Sequence, residues 1–210
     1  MRIAFLGDSI TEGCGASSID NFFVNKVGKI LNVQALNYGV GGTRIAKQKE
    51  VSEMPIWDYD FLSRAQTMEK DVDLVVVFGG TNDYGHGLAK LGSIDDQTSY
   101  TFFGAFKTLI EYLIGAYGKQ KILVATPLRR CNDEAPDSVN GVSLSVYVGI
   151  EKLICDLYDI KVLDLFNHGI PKPAVQTGDE FTVDGLHPND YGHEFIAKKI
   201  SEFIKKNWQL

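Results

Sequence analysis

The chain has 210 residues, 44% hydrophobic and 23% charged, with a formal charge of -6 and a pI near 5.2. That is enough apolar material for one sizeable core, and residues 1–210 are expected to form a single domain. The acidic balance argues against nucleic acid and anionic membrane as partners, because both select basic patches, and the basic clusters here (Arg129-Arg130, Lys198-Lys199 and Lys205-Lys206) are short.

Met1-Arg2 leads directly into the apolar run Ile3 to Leu6, which reads as a buried strand ending at Gly7. A helical pattern follows at Phe22-Phe23, Val27 and Ile30-Leu31, then a second strand over Val33 to Tyr38 and a glycine-rich turn, Gly39 to Thr43. Leu74 to Phe78 forms the third strand. Phe102-Phe103, Phe106, Leu109-Ile110 and Leu113 mark a second helix, Ile122 to Ala125 the fourth strand, Val142 to Tyr158 a third helix, and Lys161 to Leu165 the fifth strand. The last helix opens at Asn189 as N-cap and carries Phe195, Ile196, Ile200, Phe203 and Ile204 on one stripe, with Trp208 one turn further on. Several strand runs are apolar without alternation, as strands covered on both faces are. The order predicts an α/β fold, a three-layer α/β/α doubly wound sandwich around a five-stranded parallel sheet with right-handed crossovers. Four irregular stretches, Thr43 to Asp60, Tyr84 to Thr98, Leu128 to Ser138 and His168 to Asp184, mostly follow strand ends and are positioned to wall a cleft.

Cys14, Cys131 and Cys155 are odd in number, widely spaced and free of any CxxC, so neither a disulfide framework nor a thiolate zinc site is suggested and a reducing compartment is expected. No apolar run approaches the ~20 residues needed to span a bilayer, and Gly7-Asp8-Ser9 interrupts the first run too early for a leader. The expectation is a cytoplasmic protein with no integral membrane segment.

The chemistry-bearing residues fall at the carboxyl ends of the predicted strands, where open α/β sheets place their ligands. Ser9 follows strand one, Gly39 to Thr43 follows strand two, and Gly79-Gly80-Thr81-Asn82-Asp83 follows strand three. Far downstream, Asp184-Gly185-Leu186-His187 offers an imidazole with a carboxylate three residues before it. A serine hydroxyl is a poor nucleophile near neutral pH, and a neutral imidazole can take its proton and return it to a leaving alkoxide. Asp184 can fix the tautomer of His187, and Pro188 stiffens the approach. Attack on an ester carbonyl also creates an oxyanion that must meet donors already in place; the Ser9 N–H, the Gly42 N–H and the Asn82 side-chain amide are the candidates. Asp8, His86 and Arg129 are candidates for substrate contacts, and Arg129-Arg130 carries charge suited to a carboxylate or phosphate. His168 has no obvious partner and His193 belongs to the last helix. Trp57, Phe61, Phe102 and Phe103 can line a pocket, although helical spacing makes core packing the default for Phe102 and Phe103.

Gly7-Asp8-Ser9-Ile10, Gly42, Gly80-Thr81-Asn82-Asp83 and Asp184-Gly185-Leu186-His187 resemble, in order, the four blocks of the SGNH hydrolases, the GDSL-type esterases and lipases, over almost the whole chain. The resemblance implies a flavodoxin-like sheet, Ser9 as nucleophile, Gly42 and Asn82 as oxyanion donors, Asp184 and His187 completing a triad, and neither cofactor nor metal. Ile10 departs from the family's leucine, conservatively. Gly39, Gly41 and Gly42 all offer an N–H; Gly42 is chosen because the family's donor glycine lies five residues after an asparagine like Asn37.

Taken singly, each block has a plainer reading: Ser9 as a helix cap, Asn82-Asp83 as an Asx-turn, and Asp184 to His187 as a capping arrangement. Jointly they point to a carboxylic ester hydrolase on a small-molecule ester, of short-chain or acetyl type and with O-acetylated carbohydrate as a substrate class; lysophospholipase or thioesterase action on longer chains is the alternative. A phosphate- or nucleotide-binding module built on Gly7 to Gly15 lacks the Gly-Lys-Ser/Thr ending of a P-loop. A metal-dependent hydrolase would draw on Asp8, Asp83, Asp184 and His187. The oligomeric state stays open.

Overall fold

The computed structural model describes residues 1–174 and 178–208. Strands β1 (Arg2–Gly7), β2 (Gln34–Gly39), β3 (Leu74–Phe78), β4 (Ile122–Ala125) and β5 (Lys161–Leu163) form one parallel sheet in the order β2-β1-β3-β4-β5, the flavodoxin-like order. Gly7 pairs with Gly39 on one side and Phe78 on the other, and Phe78 with Ala125, so these strands end in line and the segments after them share one rim.

Alternation along the strands separates two cores. Ile3, Phe5, Leu74, Val76 and Phe78 face helices α2 (Phe23–Leu31) and α8 (Asp190–Asn207). Ala4, Leu6, Val75 and Val77 face α3 (Phe61–Thr67), α5 (Phe102–Tyr117) and α6 (Leu144–Leu157). Three short helices, α1 (Ser9–Glu12), α4 (Thr81–His86) and α7 (Leu165–His168), follow strands β1, β3 and β5. Among the described residues no helix is long and apolar enough to cross a membrane.

The differences from the sequence reading have local causes. The fifth strand stops at Leu163 because Asp164 caps α7, accepting from Asn167 N at 3.1 Å, so Leu165 is helical. Trp208 is the C-cap of α8 and not part of it, its indole N–H donating to Gln120 O at 2.8 Å. Phe61, Phe102 and Phe106 are fully buried, so Phe61 is core and not pocket wall. Helix α3, not expected from the apolar pattern, is set by Asp60, which accepts from Ser63 N at 3.1 Å. The stretch 168–184 includes 175–177, which lie outside the described residues.

Candidate active site

The turn after β1 needs glycine at position 7: a Cβ there would lie 1.9 Å from Thr11 Oγ1 and 2.8 Å from Phe78 O. Asp8 then caps α1, its carboxylate accepting from Ile10 N at 3.0 Å, and Ser9 is the first helical residue, 6% exposed. Asp8 is itself 2% exposed and turned into this cap, not toward a substrate. Burial pushes its pKa up to about 6, against the Ile10 N–H and the nearby Arg64 charge.

The second half of the site arrives from the far end of the chain. Gly185, at φ +78, turns the backbone between Asp184 and His187, and Gly185 O accepts from Cys131 N at 2.9 Å. Gly15 packs against the next residue, where a Cβ would meet Pro188 O at 2.2 Å, so the segment after α1 holds this loop close to Ser9. Asp184 Oδ1 accepts from Leu186 N at 3.0 Å and His187 N at 2.7 Å, while Oδ2 lies 2.6 Å from His187 Nδ1. Burial raises the Asp184 pKa, but hydrogen bonds from the His187 ring, His187 N and Leu186 N outweigh it and leave the pKa below the usual value. An ionised Asp184 requires the hydrogen on Nδ1, which leaves Nε2 as acceptor for the Ser9 hydroxyl, 3.0 Å away. Such a series can accept the serine proton and stabilise the resulting imidazolium.

The three glycines at and after the end of β2 are distinguished by their hydrogen bonds. Gly39 N donates to Asn37 Oδ1 at 2.8 Å and Gly41 N to Glu12 Oε2 at 2.9 Å, while Gly42 N has no acceptor among the described residues. Gly42 sits at φ +74 with the Trp57 indole against it, where a Cβ would fall 2.0 Å from Nε1, so any other residue would be strained in its backbone and would clash with the indole. Asn82, 5% exposed on α4, donates one amide hydrogen to Thr43 O at 3.0 Å, leaving the other free. Asp83 accepts from Ile45 N at 2.9 Å and Ala46 N at 2.8 Å, tying the loop after β2 to α4; burial pushes its pKa up to about 7. The four residues a metal site would have used therefore do not converge: Asp8 and Asp83 face backbone N–H groups, and among the described residues no group of three His, Cys, Asp or Glu side chains is disposed to hold an ion.

His86, one turn beyond Asn82 on α4, lies against Trp57 with ring centroids 4.7 Å apart. Burial, then the charges of Arg44 and Arg130, push its pKa down to about 4. Arg129, expected at the substrate, is instead engaged by Asp133 at 2.5 Å and Glu134 at 3.0 Å and lies 4.8 Å over the Phe166 ring. His193 is a core residue: Phe23 N donates to its Nδ1 at 3.2 Å, so its Nε2–H donates to Cys14 O at 3.2 Å. A groove of about 740 Å³ between α6 and the β5–α7 edge, lined by Val148, Lys152, Leu153 and Phe166 among others, shares no residue with this constellation.

One residue escaped the sequence reading. Arg64 on α3, 4% exposed, donates from Nη1 to Gly7 O and Tyr38 O, both at 2.8 Å, from Nη2 to Thr43 Oγ1 at 2.8 Å, and from Nε to Tyr59 O at 3.1 Å. It joins the ends of β1 and β2 to the Gly42 turn and stays charged at neutral pH, although burial lowers its pKa to about 10. The available signal was Asp60 three residues before Ser63, a cap followed by Phe61 and Ala65 at helical spacing.

The fold and these groups define a class: a flavodoxin-like α/β protein with hydrolase-type side chains gathered on the carboxyl rim of its sheet. Residues 5–195 match the GDSL-like lipase/acylhydrolase family, and the chain belongs to that family. Among solved structures it is similar to a protein from Lactobacillus plantarum, 28% identical with a TM-score of 0.82 over 99% of this chain and 98% of that one. A lipase/acylhydrolase from Enterococcus faecalis is 22% identical, with a TM-score of 0.68 over 100% and 99% of the two chains. A carbohydrate acetylesterase family member from Sinorhizobium meliloti is 17% identical, with a TM-score of 0.66 over 98% and 97%. No match was found among curated proteins.

Proposed function

We propose that the protein is a carboxylic ester hydrolase working through an acyl-enzyme on Ser9. The observation that carries this reading is the unbroken series from Asp184 Oδ2 to His187 Nδ1 at 2.6 Å and from Nε2 to Ser9 Oγ at 3.0 Å. Ser9 Oγ attacks the ester carbonyl carbon as its proton passes to His187 Nε2. The carbonyl oxygen, now an oxyanion, is received by the N–H groups of Ser9 and Gly42 and by the free hydrogen of the Asn82 amide. Collapse breaks the bond to the alcohol oxygen, which leaves with the proton from Nε2. Water, deprotonated by His187, then releases the acid and restores Ser9.

An acetyl or other short acyl group fits best. Trp57 covers Gly42 and packs on His86, so aromatic rings narrow the space beside the proposed donors. The likeness to a carbohydrate acetylesterase family member supports O-acetylated carbohydrate as the substrate class.

Hydrolysis of p-nitrophenyl acetate by wild type and Ser9→Ala, each with and without EDTA, tests the reading. Turnover that resists EDTA and disappears in the mutant is expected. Turnover surviving in Ser9→Ala overturns the nucleophile, and loss on EDTA overturns the metal-independent mechanism.

A further inference from the structure

The loop after β4 carries two adjacent arginines with opposite fates. Arg129 is ion-paired with Asp133 and Glu134. Arg130 turns to α4, where Nη1 donates to Thr81 O at 3.2 Å and Thr81 Oγ1 at 3.3 Å, Nε donates to Asn132 Oδ1 at 2.7 Å, and the guanidinium lies 5.4 Å over the Tyr84 ring. Its place on the helix depends on Gly85, where a Cβ would stand 2.7 Å from Nη1. The next residue, Cys131, is bonded through its N–H to Gly185 O. Arg130 therefore lies against the helix that carries Asn82, while the residue next to it is tied to the Asp184–His187 loop, whose Asp184 charge also reaches the guanidinium.

Among the described residues Arg130 makes no ion pair, and its Nη2 has neither a hydrogen-bond partner nor full enclosure. Arg2, Arg44 and Arg129 each have a carboxylate, and Arg64 spends its donors on four acceptors. A partly buried guanidinium anchored on one edge and open on the other is preorganised for the paired oxygens of a carboxylate or phosphate. The charges of Arg44 and Arg130 both act on the His86 ring, and of the two only Arg130 lacks an ion-pair partner among the described residues.

We infer that Arg130 binds an anionic group, a carboxylate or phosphate, on the ester, so that the substrates are negatively charged esters. This inference rests on the proposed ester hydrolysis and adds the charge of its substrate.

The test compares kcat/KM within two pairs of esters, each rate normalised to the ester's own hydroxide-catalysed hydrolysis. In 4-acetoxybenzoate against its methyl ester the charge is on the alcohol side; in 4-nitrophenyl hydrogen adipate against 4-nitrophenyl hexanoate it is on the acyl side. Wild type is expected to favour the anionic member of one pair by roughly 10- to 100-fold, mainly through KM and less so at high salt, because that is the scale of a charge-assisted contact. Arg130→Gln should erase the preference, and Arg130→Lys should keep part of it. No preference in either pair, a preference that survives Arg130→Gln, or an equal loss on both members of a pair overturns the inference; the last would make Arg130 a structural tie to Thr81. Ser9→Ala on the neutral esters reports separately on the underlying reading. Dead Ser9→Ala with an Arg130-independent ratio sinks this inference alone, whereas active Ser9→Ala sinks the ester hydrolase mechanism.

Discussion

Replacing Asp184 by asparagine tests the proposed triad more sharply than deleting it, because the surrounding backbone dictates how the new amide must sit. Leu186 N and His187 N both point at Oδ1, at 3.0 and 2.7 Å, so the asparagine oxygen is required there. Its NH2 then occupies the Oδ2 position, 2.6 Å from His187 Nδ1. An NH2 in that place needs Nδ1 as acceptor, which moves the ring hydrogen to Nε2 and points it at Ser9 Oγ, so the imidazole can no longer take the serine proton. Flipping the amide restores the tautomer but leaves two backbone N–H groups against an NH2. At about 1.5 kcal/mol each, toward the low end because the Asp184 side chain is 45% exposed, the flip costs about 3 kcal/mol, or roughly 150-fold. Loss of the carboxylate charge opposite the imidazolium adds to this, up to the ~10⁴-fold drop a wrong tautomer brings. Steady-state kinetics on p-nitrophenyl acetate should therefore show kcat reduced ~10²- to 10⁴-fold with KM little changed, and thermal unfolding should show the fold retained. An Asp184→Asn enzyme keeping more than about a tenth of wild-type kcat would refute the tautomer argument and, with it, the catalytic role given to Asp184.

Asn82→Ala removes a proposed oxyanion donor and should lower kcat by ~100- to 1,000-fold; an effect confined to KM would assign Asn82 to ground-state binding instead. Glu151 on α6 is 1% exposed, and neither carboxylate oxygen has a hydrogen-bond partner among the described residues, so burial, reinforced by the charges of Asp83 and Asp8, holds its pKa well above the usual value. Native Glu151 then keeps a proton that the unfolded chain releases, a stabilisation that is full below the unfolded pKa and lost as pH rises. Urea unfolding should show Glu151→Gln gaining on wild type by about 1.4 kcal/mol for each pH unit in that window, whereas a difference that is constant from pH 5 to pH 8 would mean that Glu151 is ionised in the native protein.

The parts legible in the sequence were those specified by strong local chemistry. Apolar runs such as Leu74 to Phe78 have nowhere to go but a doubly covered sheet, and glycine and proline punctuate their ends. Ser9, Gly42, Asn82, Asp184 and His187 were nominated because each falls at such an end or in a matching block, and the structure brings Ser9, His187 and Asp184 into hydrogen-bonded series. What stayed hidden depends on tertiary direction. Arg64 looks like a solvated residue because a charge on a helix normally faces water, and only the carbonyls of Gly7 and Tyr38 explain its burial. Arg129 and Arg130 are indistinguishable as letters, and the acidic partners of one, with the bare helix edge at Gly85 for the other, separate them. Helix α4 follows the N-cap Gly80, carries Gly85 one residue before its end, and has no apolar stripe to announce it; the contacts of Asn82 and Asp83 hold it to the loop after β2.

Those polar contacts also hold the long loops with the precision that the proposed acyl transfer needs. The segment after β2 has little apolar anchoring at Gly39 to Thr43, yet Asn82 holds Thr43 O, Asp83 holds Ile45 N and Ala46 N, Arg64 holds Thr43 Oγ1, and Glu12 holds Gly41 N. Each tie runs from a side chain on a neighbouring element to a loop, so Gly42 N is positioned relative to Ser9 and Asn82 by the same residues that build the site. Burying Arg64 and Asp83 is costly for stability, and replacing a buried charge by an apolar group of similar volume is often neutral or stabilising. A buried charge in contact with backbone carbonyls or N–H groups is nevertheless directional where an apolar contact is not. Its retention here follows if the gain lies in fixing donor geometry before the oxyanion forms, because a donor that must reorganise during the reaction loses much of its effect.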